Sequence, residues 1–355
     1  MADPPEVERF TFGHEMIQEG VKLSPAEEYA GLKRTIEQRG LLNKQPAYYT
    51  YKILLTLSLL ALSIAFLALI DNIWLQLANA AFLAFVFGQF AFIGHDGGHH
   101  QIFTSKRGNE IVGLVICFLL AFDRSWWVDK HNRHHSYPND VALDPDSNIP
   151  VLAFTKDQAR SKRGLYRFIV KYQAYFFLPM LALEGFGLRL ASLQYLLRTK
   201  VKFPVAEPLL IASHFVVYFA LLFYLLEPWH ALMFIGVHQG LFGLYMGASF
   251  APNHKGMPML DNDTDMDFLR RQVITARNIK GHPFTDFWYG GLNYQIEHHL
   301  FPSMPRNNLK EAQRIIKPFC QTHHIPYHET GTLQAQREIL RSLHQESAPL
   351  REASL

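Results

Sequence analysis

The chain has 355 residues, of which 49% are hydrophobic and 14% aromatic, so it has ample material for a folded core and intrinsic disorder is excluded. Its 34 Lys and Arg nearly balance its 31 Asp and Glu, and the net charge of +3 gives no indication of nucleic-acid binding. The only two cysteines, Cys117 and Cys320, lie far apart in the chain, which excludes a disulfide scaffold.

Two long windows of the sequence are almost free of charge. Asp71 is the only formally charged residue in the window 53–94, and Glu227 is the only one in the window 208–254. A helix of eighteen residues is about 27 Å long, close to the hydrocarbon thickness of a bilayer. Each window therefore predicts two membrane-spanning helices joined by a polar turn, and the four spans are residues 53–70, 73–93, 209–226 and 231–251.

The charge distribution predicts the topology. A pair of spans returns the chain to the side that it left, so residues 1–52, 95–207 and 255–355 share one side, and all 34 Lys and Arg fall there. The positive-inside rule makes this side cytoplasmic. We therefore expect an integral membrane protein with both termini in the cytoplasm, in which a membrane domain, 53–327, lies between the segment 1–52 and a C-terminal tail, 328–355.

Three other segments with apolar residues are too short or too polar to be assigned as spans. Residues 111–122 are expected to form a re-entrant or interfacial helix, because twelve residues cannot cross a bilayer. Residues 168–186 contain Lys171 and Glu184, so we assign them to the membrane surface. Residues 306–319 carry apolar side chains at helical spacing, which predicts a helix packed on the cytoplasmic body.

Histidines are concentrated in three short motifs. Within each motif, positions i, i+3 and i+4 share one face of a helix, so the side chains project as a compact group. The motifs are His95-Asp96-Gly97-Gly98-His99-His100, His131-Asn132-Arg133-His134-His135 and Gln295-Ile296-Glu297-His298-His299. All three lie on the predicted cytoplasmic side, and the first begins where the second span ends.

This pattern predicts a metal centre. Neutral imidazole binds iron, copper, nickel and zinc, and so many histidines exceed the three or so protein ligands of one catalytic zinc, so two ions are expected. The candidate ligands are His95, His99, His131, His134, His135, His298 and His299, with His254 added from the end of the fourth span and with Gln295 and His100 as further candidates. Asp96, Asn253 and Asn293 are expected to orient ligands, as is typical of polar residues beside a metal site.

The three motifs, with Leu300-Phe301-Pro302 after the third, resemble the histidine boxes of membrane fatty acid desaturases, and the similarity extends from the first pair of spans to about Tyr327. The resemblance implies a non-haem di-iron centre with His254 as an additional ligand. Gln295, in place of a first histidine, resembles the front-end branch, which places double bonds between an existing one and the carboxyl end. The His-Pro-Gly-Gly motif of the cytochrome b5 domain fused to many front-end enzymes does not occur here.

The resemblance implies an all-α membrane fold in which two transmembrane hairpins carry a cytoplasmic helical cap with the di-metal site. The implied reaction uses O2 to form a cis double bond in an acyl chain carried by a lipid, CoA or a carrier protein. A Gly-rich dinucleotide motif is missing from the sequence, so electrons are expected from an external ferredoxin, cytochrome b5 or reductase. Phe122, Trp126, Trp127 and Trp288 could line an acyl tunnel or anchor the protein at the membrane interface.

Two other functions are compatible with the residues. One is an acyl-chain hydroxylase or related oxygenase, which needs the same ligands. The other is a membrane haem protein that uses His214 and His238 inside the spans as axial ligands, although we expect these two to form interhelical hydrogen bonds. A metal transporter is disfavoured because no span carries paired carboxylates. Asp144 and Asp146 are expected to orient an arginine or cap a helix rather than to take part in catalysis.

Overall fold

The computed structural model describes residues 24–261 and 264–352; the other parts of the predicted N-terminal segment and C-terminal tail lie outside the described residues. The described residues are mostly helical. In chain order the helices are α1 Pro25–Gln38, α2 Pro46–Leu69, α3 Ile73–Gly98, α4 Lys106–Leu120, α5 Arg124–Ser136, α6 Lys156–Ser161, α7 Gly164–Lys171, α8 Gln173–Leu181, α9 Glu184–Arg198, α10 Ala206–Leu225, α11 Pro228–His254, α12 Phe268–Ile274, α13 Pro283–Trp288, α14 Gln295–Leu300, α15 Leu309–Thr322, α16 Thr332–Glu346 and α17 Ala348–Glu352. Two short strands, β1 Asn278–Ile279 and β2 Glu329–Thr330, pair in parallel.

Among the described residues, four helices, α2, α3, α10 and α11, are long and apolar enough to cross a membrane, and they coincide with the four predicted apolar segments. Each helix is longer than its predicted span, because helical hydrogen bonding continues into the polar residues at the ends. In this way α3 extends through His95 to Gly98, and α11 extends through Asn253 to His254. The number rises to six if each of two bent helix pairs, α4 with α5 and α8 with α9, is one span.

Helices α3 and α11 form the centre of the apolar region. Half or more of their most apolar windows is buried, 61% and 50%, against 17% for α2 and α10, which flank them. The two central helices approach closely at Gly88, where a Cβ atom would lie 2.2 Å from the ring of Tyr245. Helix α10 packs mainly on α4 and only lightly on α11. The central pair therefore positions the ends of α3 and α11 side by side.

The two weakly apolar segments are interrupted helices. Residues 111–122 lie mostly in α4, which ends at Ala121 in a left-handed conformation with φ 56°, and the chain then turns by 110° into α5. Residues 168–186 are divided among α7, α8 and the start of α9, and α8 and α9 meet at 78°. The turn after α4 brings α5 towards the end of α3.

A second apolar core lies under the segments that follow the fourth span. It joins α1, α12, α14 and α15. The amphipathic helix predicted over residues 306–319 is confirmed, since α15 buries the predicted apolar residues Leu309, Ala312, Ile315, Ile316 and Phe319. Helix α16 packs on α8 and α11, and β2 pairs with β1, so the described part of the C-terminal tail packs on the same body.

Candidate metal centre

The three histidine motifs lie on three helices whose ends meet. The first occupies the last turn of α3 and its C-terminal boundary, the second lies on α5, and the third lies on α14. Asp123 accepts a hydrogen bond from the Trp126 backbone N–H and so fixes the start of α5. His254 is the last residue of α11 and reaches the same place.

Five histidines form the first ligand group, which we call the five-histidine group. One ring nitrogen from each lies within 4.8 Å of the others, and the members are His95, His99, His131, His135 and His298. The Nε2 atom of His135 is 3.1 Å from Nε2 of His131 and 3.1 Å from Nε2 of His298. All three motifs contribute to this group.

Three further histidines, His134, His254 and His299, form a separate three-histidine group, and all three are buried. The Nε2 atoms of His134 and His254 are 3.3 Å apart. The side-chain amide of Gln295 lies 3.0 Å from the same His254 atom, so Gln295 stands beside this group. His254 and Gln295 are therefore both within reach of one site.

The geometry of both groups fits metal binding. Two nitrogens bound to one ion at about 2.1 Å lie about 3.0 to 3.4 Å apart, for right-angle and tetrahedral arrangements respectively. The measured separations between Nε2 atoms in the two groups fall in this range. In addition, the buried Nε2 atoms of His99 and His299 have no hydrogen-bond partner among the described residues, as expected for atoms that bind a metal.

Hydrogen bonds on the opposite ring nitrogen orient the three-histidine group. Nδ1 of His134 is 3.0 Å from the Asp144 carboxylate, and Nδ1 of His254 is 3.1 Å from the Thr275 carbonyl. Nδ1 of His299 is 2.8 Å from the side-chain oxygen of Gln272. Such contacts place the proton on Nδ1 and leave Nε2 free to bind a metal.

Burial also favours the metal-binding form of the imidazoles. Transfer out of water lowers the pKa of His131, His135, His298 and His299 well below the usual value, and neighbouring imidazoles lower it further. The rings are therefore neutral near pH 7 and keep a lone pair for coordination.

The residues predicted to orient ligands have different surroundings. Asp96 lies 3.4 Å from Nδ1 of His95 and forms an ion pair with Arg306 at 3.0 Å. Asn253 donates to the Gln295 side-chain oxygen at 2.9 Å, so it orients that amide. Asn293 donates instead to the Asp286 carboxylate and the Ile279 carbonyl.

His100 belongs to neither ligand group. It is half-buried, its φ is 56°, and its carbonyl accepts a hydrogen bond from Lys44. Glu297, inside the third motif, points away from the histidines and accepts hydrogen bonds from Asn278 and Tyr327.

The histidines inside the spans have a structural environment. Nδ1 of His238 is 2.7 Å from the Tyr218 hydroxyl across α10 and α11, and the His214 ring stacks on Tyr218 at 5.6 Å. The His238 ring also packs edge-on against Phe87 at 4.5 Å. The expected interhelical hydrogen bond is thus confirmed for His238.

A cavity adjoins both histidine groups. Its empty space is about 1660 Å³, including the part that opens to solvent, and its wall is mostly apolar. Phe122, Trp126 and Trp127 line it, whereas Trp288 packs on Tyr245 outside it. His95, His131, His134, His254 and Gln295 line it as well. An apolar ligand in this cavity would therefore contact the ligand groups directly.

The sequence interpretation missed several contacts of the site. Asp144 caps the short 3₁₀ helix that begins at Pro145 and also contacts His134, so a residue expected to cap a helix or orient an arginine orients a ligand as well. Gln272 and Thr275 come from α12 and its end, a segment without any recognisable motif. Only the position of Asp144, ten residues after His134 and before a proline, could have drawn attention to it.

Comparison with known proteins identifies the family. The fatty acid desaturase family model matches residues 72–331. The chain is 32% identical to an acyl-lipid (9-3)-desaturase of Physcomitrium patens over 85% of this chain and 59% of that protein. It is 30% identical to a Delta(6)-fatty-acid desaturase of Caenorhabditis elegans and to a Delta(8)-fatty-acid desaturase of Euglena gracilis, over 85% of this chain and 70% and 74% of theirs.

The chain thus spans about three fifths of the first relative and somewhat more of the other two. The matched region contains all three histidine motifs and His254. The four long apolar helices agree with a membrane protein. The chain belongs to the fatty acid desaturase family, a family of membrane oxidoreductases.

Proposed function

We propose that this protein is a fatty acyl desaturase that converts two adjacent methylenes of an acyl chain into a cis double bond. The reaction consumes one O2, two electrons and two protons and releases two waters. The observation that supports it best is the convergence of eight histidines in two groups, four of which (His95, His131, His134 and His254) line one mostly apolar cavity. A methylene has no acidic proton or leaving group, so acid–base or nucleophilic chemistry cannot begin the reaction.

We propose that the two groups hold two iron ions. When bound, iron supplies the oxidising chemistry by which O2 is reduced and hydrogen is removed from the acyl chain. The five-histidine group would hold one ion, and the three-histidine group, with Gln295 beside it, would hold the other. Neither cysteine belongs to a ligand group: Cys117 lines the cavity wall and Cys320 is buried elsewhere in the fold.

The chain's own residues would orient the metal ligands and exclude water from the acyl chain. Asp144, Thr275 and Gln272 hold the three imidazoles of the second group by their Nδ1 atoms, so the Nε2 atoms face one point. Apolar residues of the cavity, among them Ile116, Leu120 and Leu181, would hold the acyl chain and keep water from it.

We propose front-end regiochemistry for this enzyme. Proteins similar to this chain are named as Delta(6), Delta(8) and acyl-lipid 8-desaturases, and Gln295 occupies the first position of the third motif. The acyl group would be carried by a lipid, CoA or a carrier protein. Electrons would come from a separate ferredoxin, cytochrome b5 or reductase.

We propose that the four long helices form two transmembrane hairpins and that the histidine groups lie on the cytoplasmic side. Two observations support this orientation. The ends of α3 and α11 that carry His95 and His254 meet α5 and α14, and all 34 Lys and Arg lie outside the two apolar windows, on the side of these ends. Helices α12, α14, α15 and α16 would then form the cytoplasmic cap.

The test is gas chromatography with mass spectrometry of total fatty acids from cells that express the protein together with a competent electron donor. The expected result is a new cis-unsaturated fatty acid that is absent with the His298→Ala variant. A hydroxylated product without a new double bond would contradict the proposal and would assign the same ligands to a hydroxylase.

A further inference from the structure

One part of the cavity wall is charged although most of it is apolar. Four side chains meet there, from α5, the 3₁₀ turn that follows it, α9 and the residue after α11: Lys130, Asp146, Glu184 and Lys255. Lys130 pairs with the Asp146 carboxylate, and Lys255 donates to the Asp146 carbonyl at 2.6 Å. Glu184 interacts electrostatically with the other three. We call these four residues the polar cluster.

The polar cluster has unused hydrogen-bonding capacity that faces the cavity. The side chains of Lys130 and Asp146 keep 28% and 32% of their surface accessible, and both line the cavity. Each ammonium has three N–H donors. Lys255 uses one on the Asp146 carbonyl and rests over the Phe154 ring at 4.2 Å. Donors from both lysines therefore remain for a ligand.

The polar cluster lies next to the metal-binding groups. A carboxylate oxygen of Asp146 is 3.7 Å from Nδ1 of His134, so a single carboxylate separates Lys130 from the three-histidine group. Lys130 directly precedes His131 in sequence, and Lys255 directly follows His254. A polar group bound by these lysines would thus be only a few carbons of an acyl chain away from the ligand groups.

The balance of charge favours an uncharged ligand. Two ammonium groups are matched by two carboxyl groups, so the cluster carries no excess charge to attract an anion. A free carboxylate would meet the Asp146 carboxylate at close range, whereas a carbonyl oxygen could accept a hydrogen bond from either lysine without that repulsion. The ester or thioester carbonyl of an acyl substrate is such an acceptor.

We propose that Lys130 and Lys255 bind the ester or thioester carbonyl of the acyl substrate and thereby set the number of carbons between that carbonyl and the new double bond. This inference rests on the proposed desaturase function and deepens it. The two lysines act as positioning residues, and the enzyme counts from the carbonyl because the carbonyl is anchored beside the ligand groups.

The experiment measures binding and product position separately. Binding to the purified, iron-loaded protein is followed with a fluorescent tetraene fatty acid, used as its methyl ester, as its CoA thioester and as the free acid. Lys130→Met and Lys255→Met should each weaken binding of the ester or the thioester about tenfold, as for the loss of one hydrogen bond from a charged donor, while leaving the free acid unaffected. Lys130→Arg should restore binding, and Lys33→Met, which changes an exposed lysine on α1, is the control.

Product position is measured in membranes supplied with an electron donor, with acyl chains of two lengths given as phosphatidylcholine esters or CoA thioesters. Wild type should place the double bond at a constant distance from the carbonyl, and both Met variants should give neighbouring positions as well, with unchanged iron content. The substrate that is converted faster, phosphatidylcholine ester or CoA thioester, identifies the acyl carrier.

Two outcomes separate this inference from the proposed function. A wild-type protein that binds the ester through these lysines but forms no double bond would support their assignment to carbonyl binding and would overturn the proposed function. Active Met variants with wild-type ester binding and a single wild-type product would overturn the inference alone.

Discussion

Nδ1 of His134 donates a hydrogen bond to the Asp144 carboxylate at 3.0 Å, while Nε2 of the same ring lies 3.3 Å from Nε2 of His254. Asp144 also accepts from the backbone N–H groups of Asn139 and Asp146, so the loop after α5 holds this carboxylate in place. His134 is therefore oriented from one side and leaves its other nitrogen for the three-histidine group.

We expect Asp144→Asn to weaken metal binding by about 10- to 100-fold, the usual effect of removing an acidic partner from a metal-ligating histidine. The neutral amide keeps the shape but loses the charge that supports the Nδ1 proton. Iron content after dialysis against a graded chelator measures the effect, and Asp157→Asn, an exposed carboxylate on α6, is the control. Equal iron retention in wild type and Asp144→Asn would contradict this role.

His254→Ala should lose activity as fully as His298→Ala. The three-histidine group would keep only His134 and His299, so we expect iron content to fall by about half while membrane insertion is normal, because the apolar surface of α11 is unchanged. Metal analysis of the purified protein tests this. His324→Asn is a suitable control, since this exposed residue has φ 54°, which asparagine tolerates. Full iron content in His254→Ala would mean that Gln295 or another group completes the site.

The buried ion pair between Asp96 and Arg306 connects the first histidine motif to the segment after the third. Both side chains are almost completely buried, so Arg306→Met should leave an unpaired carboxylate and destabilise the protein by about 3 to 5 kcal/mol. Thermal unfolding in detergent measures the loss. The double variant Asp96→Asn with Arg306→Met should recover part of it, and a double variant as unstable as the sum of the single ones would argue against direct pairing.

Stability should depend on pH through Glu297. Burial raises the pKa of this carboxyl from 4.5 to about 7, although hydrogen bonds from Asn278 and Tyr327 lower it in part. The folded protein therefore keeps a proton that the unfolded chain has lost, so the stabilising contribution is complete below pH 4.5 and disappears as pH rises through about 7.

Glu297→Gln should consequently flatten the fall of the apparent melting temperature between about pH 5 and about pH 8. Glu311→Gln, which changes an exposed carboxylate on α15, should leave that fall as it is in wild type. Parallel curves for Glu297→Gln and wild type would show that another group controls the dependence.

The proposed orientation predicts which surface positions face outwards. Cysteines introduced at Asn72 and Glu227, in the turns between the paired long helices, should react in intact cells with a reagent that does not cross membranes. Cysteines at Ser105 and Arg314, which are both exposed, should react only after the cells are opened. Labelling of Arg314→Cys from outside would indicate that the bent pair of α8 and α9 crosses the membrane.

The four long apolar helices could be predicted because charge is excluded from a bilayer over a whole helix, which leaves a clear pattern in the sequence. The histidine motifs could be predicted because their spacing is the spacing of one helix face. The sharp bends within the two interrupted helix pairs could not be predicted. The bend after α4 depends on Ala121 in a left-handed conformation, which alanine rarely adopts.

Contacts between distant segments were also beyond the sequence. Nothing in the surroundings of Gln272 indicates that it contacts His299, because the contact arises only when α12 packs on α14. Arg306 reads as an exposed cation before an amphipathic helix, yet the fold buries it against Asp96. In both cases the partner is chosen by tertiary packing rather than by local pattern.

The two ligand groups divide histidines that are adjacent in sequence. His134 and His135 belong to different groups, as do His298 and His299, and the ring centroids in each adjacent pair are 5.9 Å apart. Successive residues of an α-helix point about 100° apart, so the two rings of each adjacent pair leave their helix in different directions. The separation of the two groups is therefore fixed by the geometry of helices α5 and α14 and does not depend on the length of the loops between them. Insertion of one residue between His131 and His134 would keep every imidazole, but His134 and His135 would turn away from their groups.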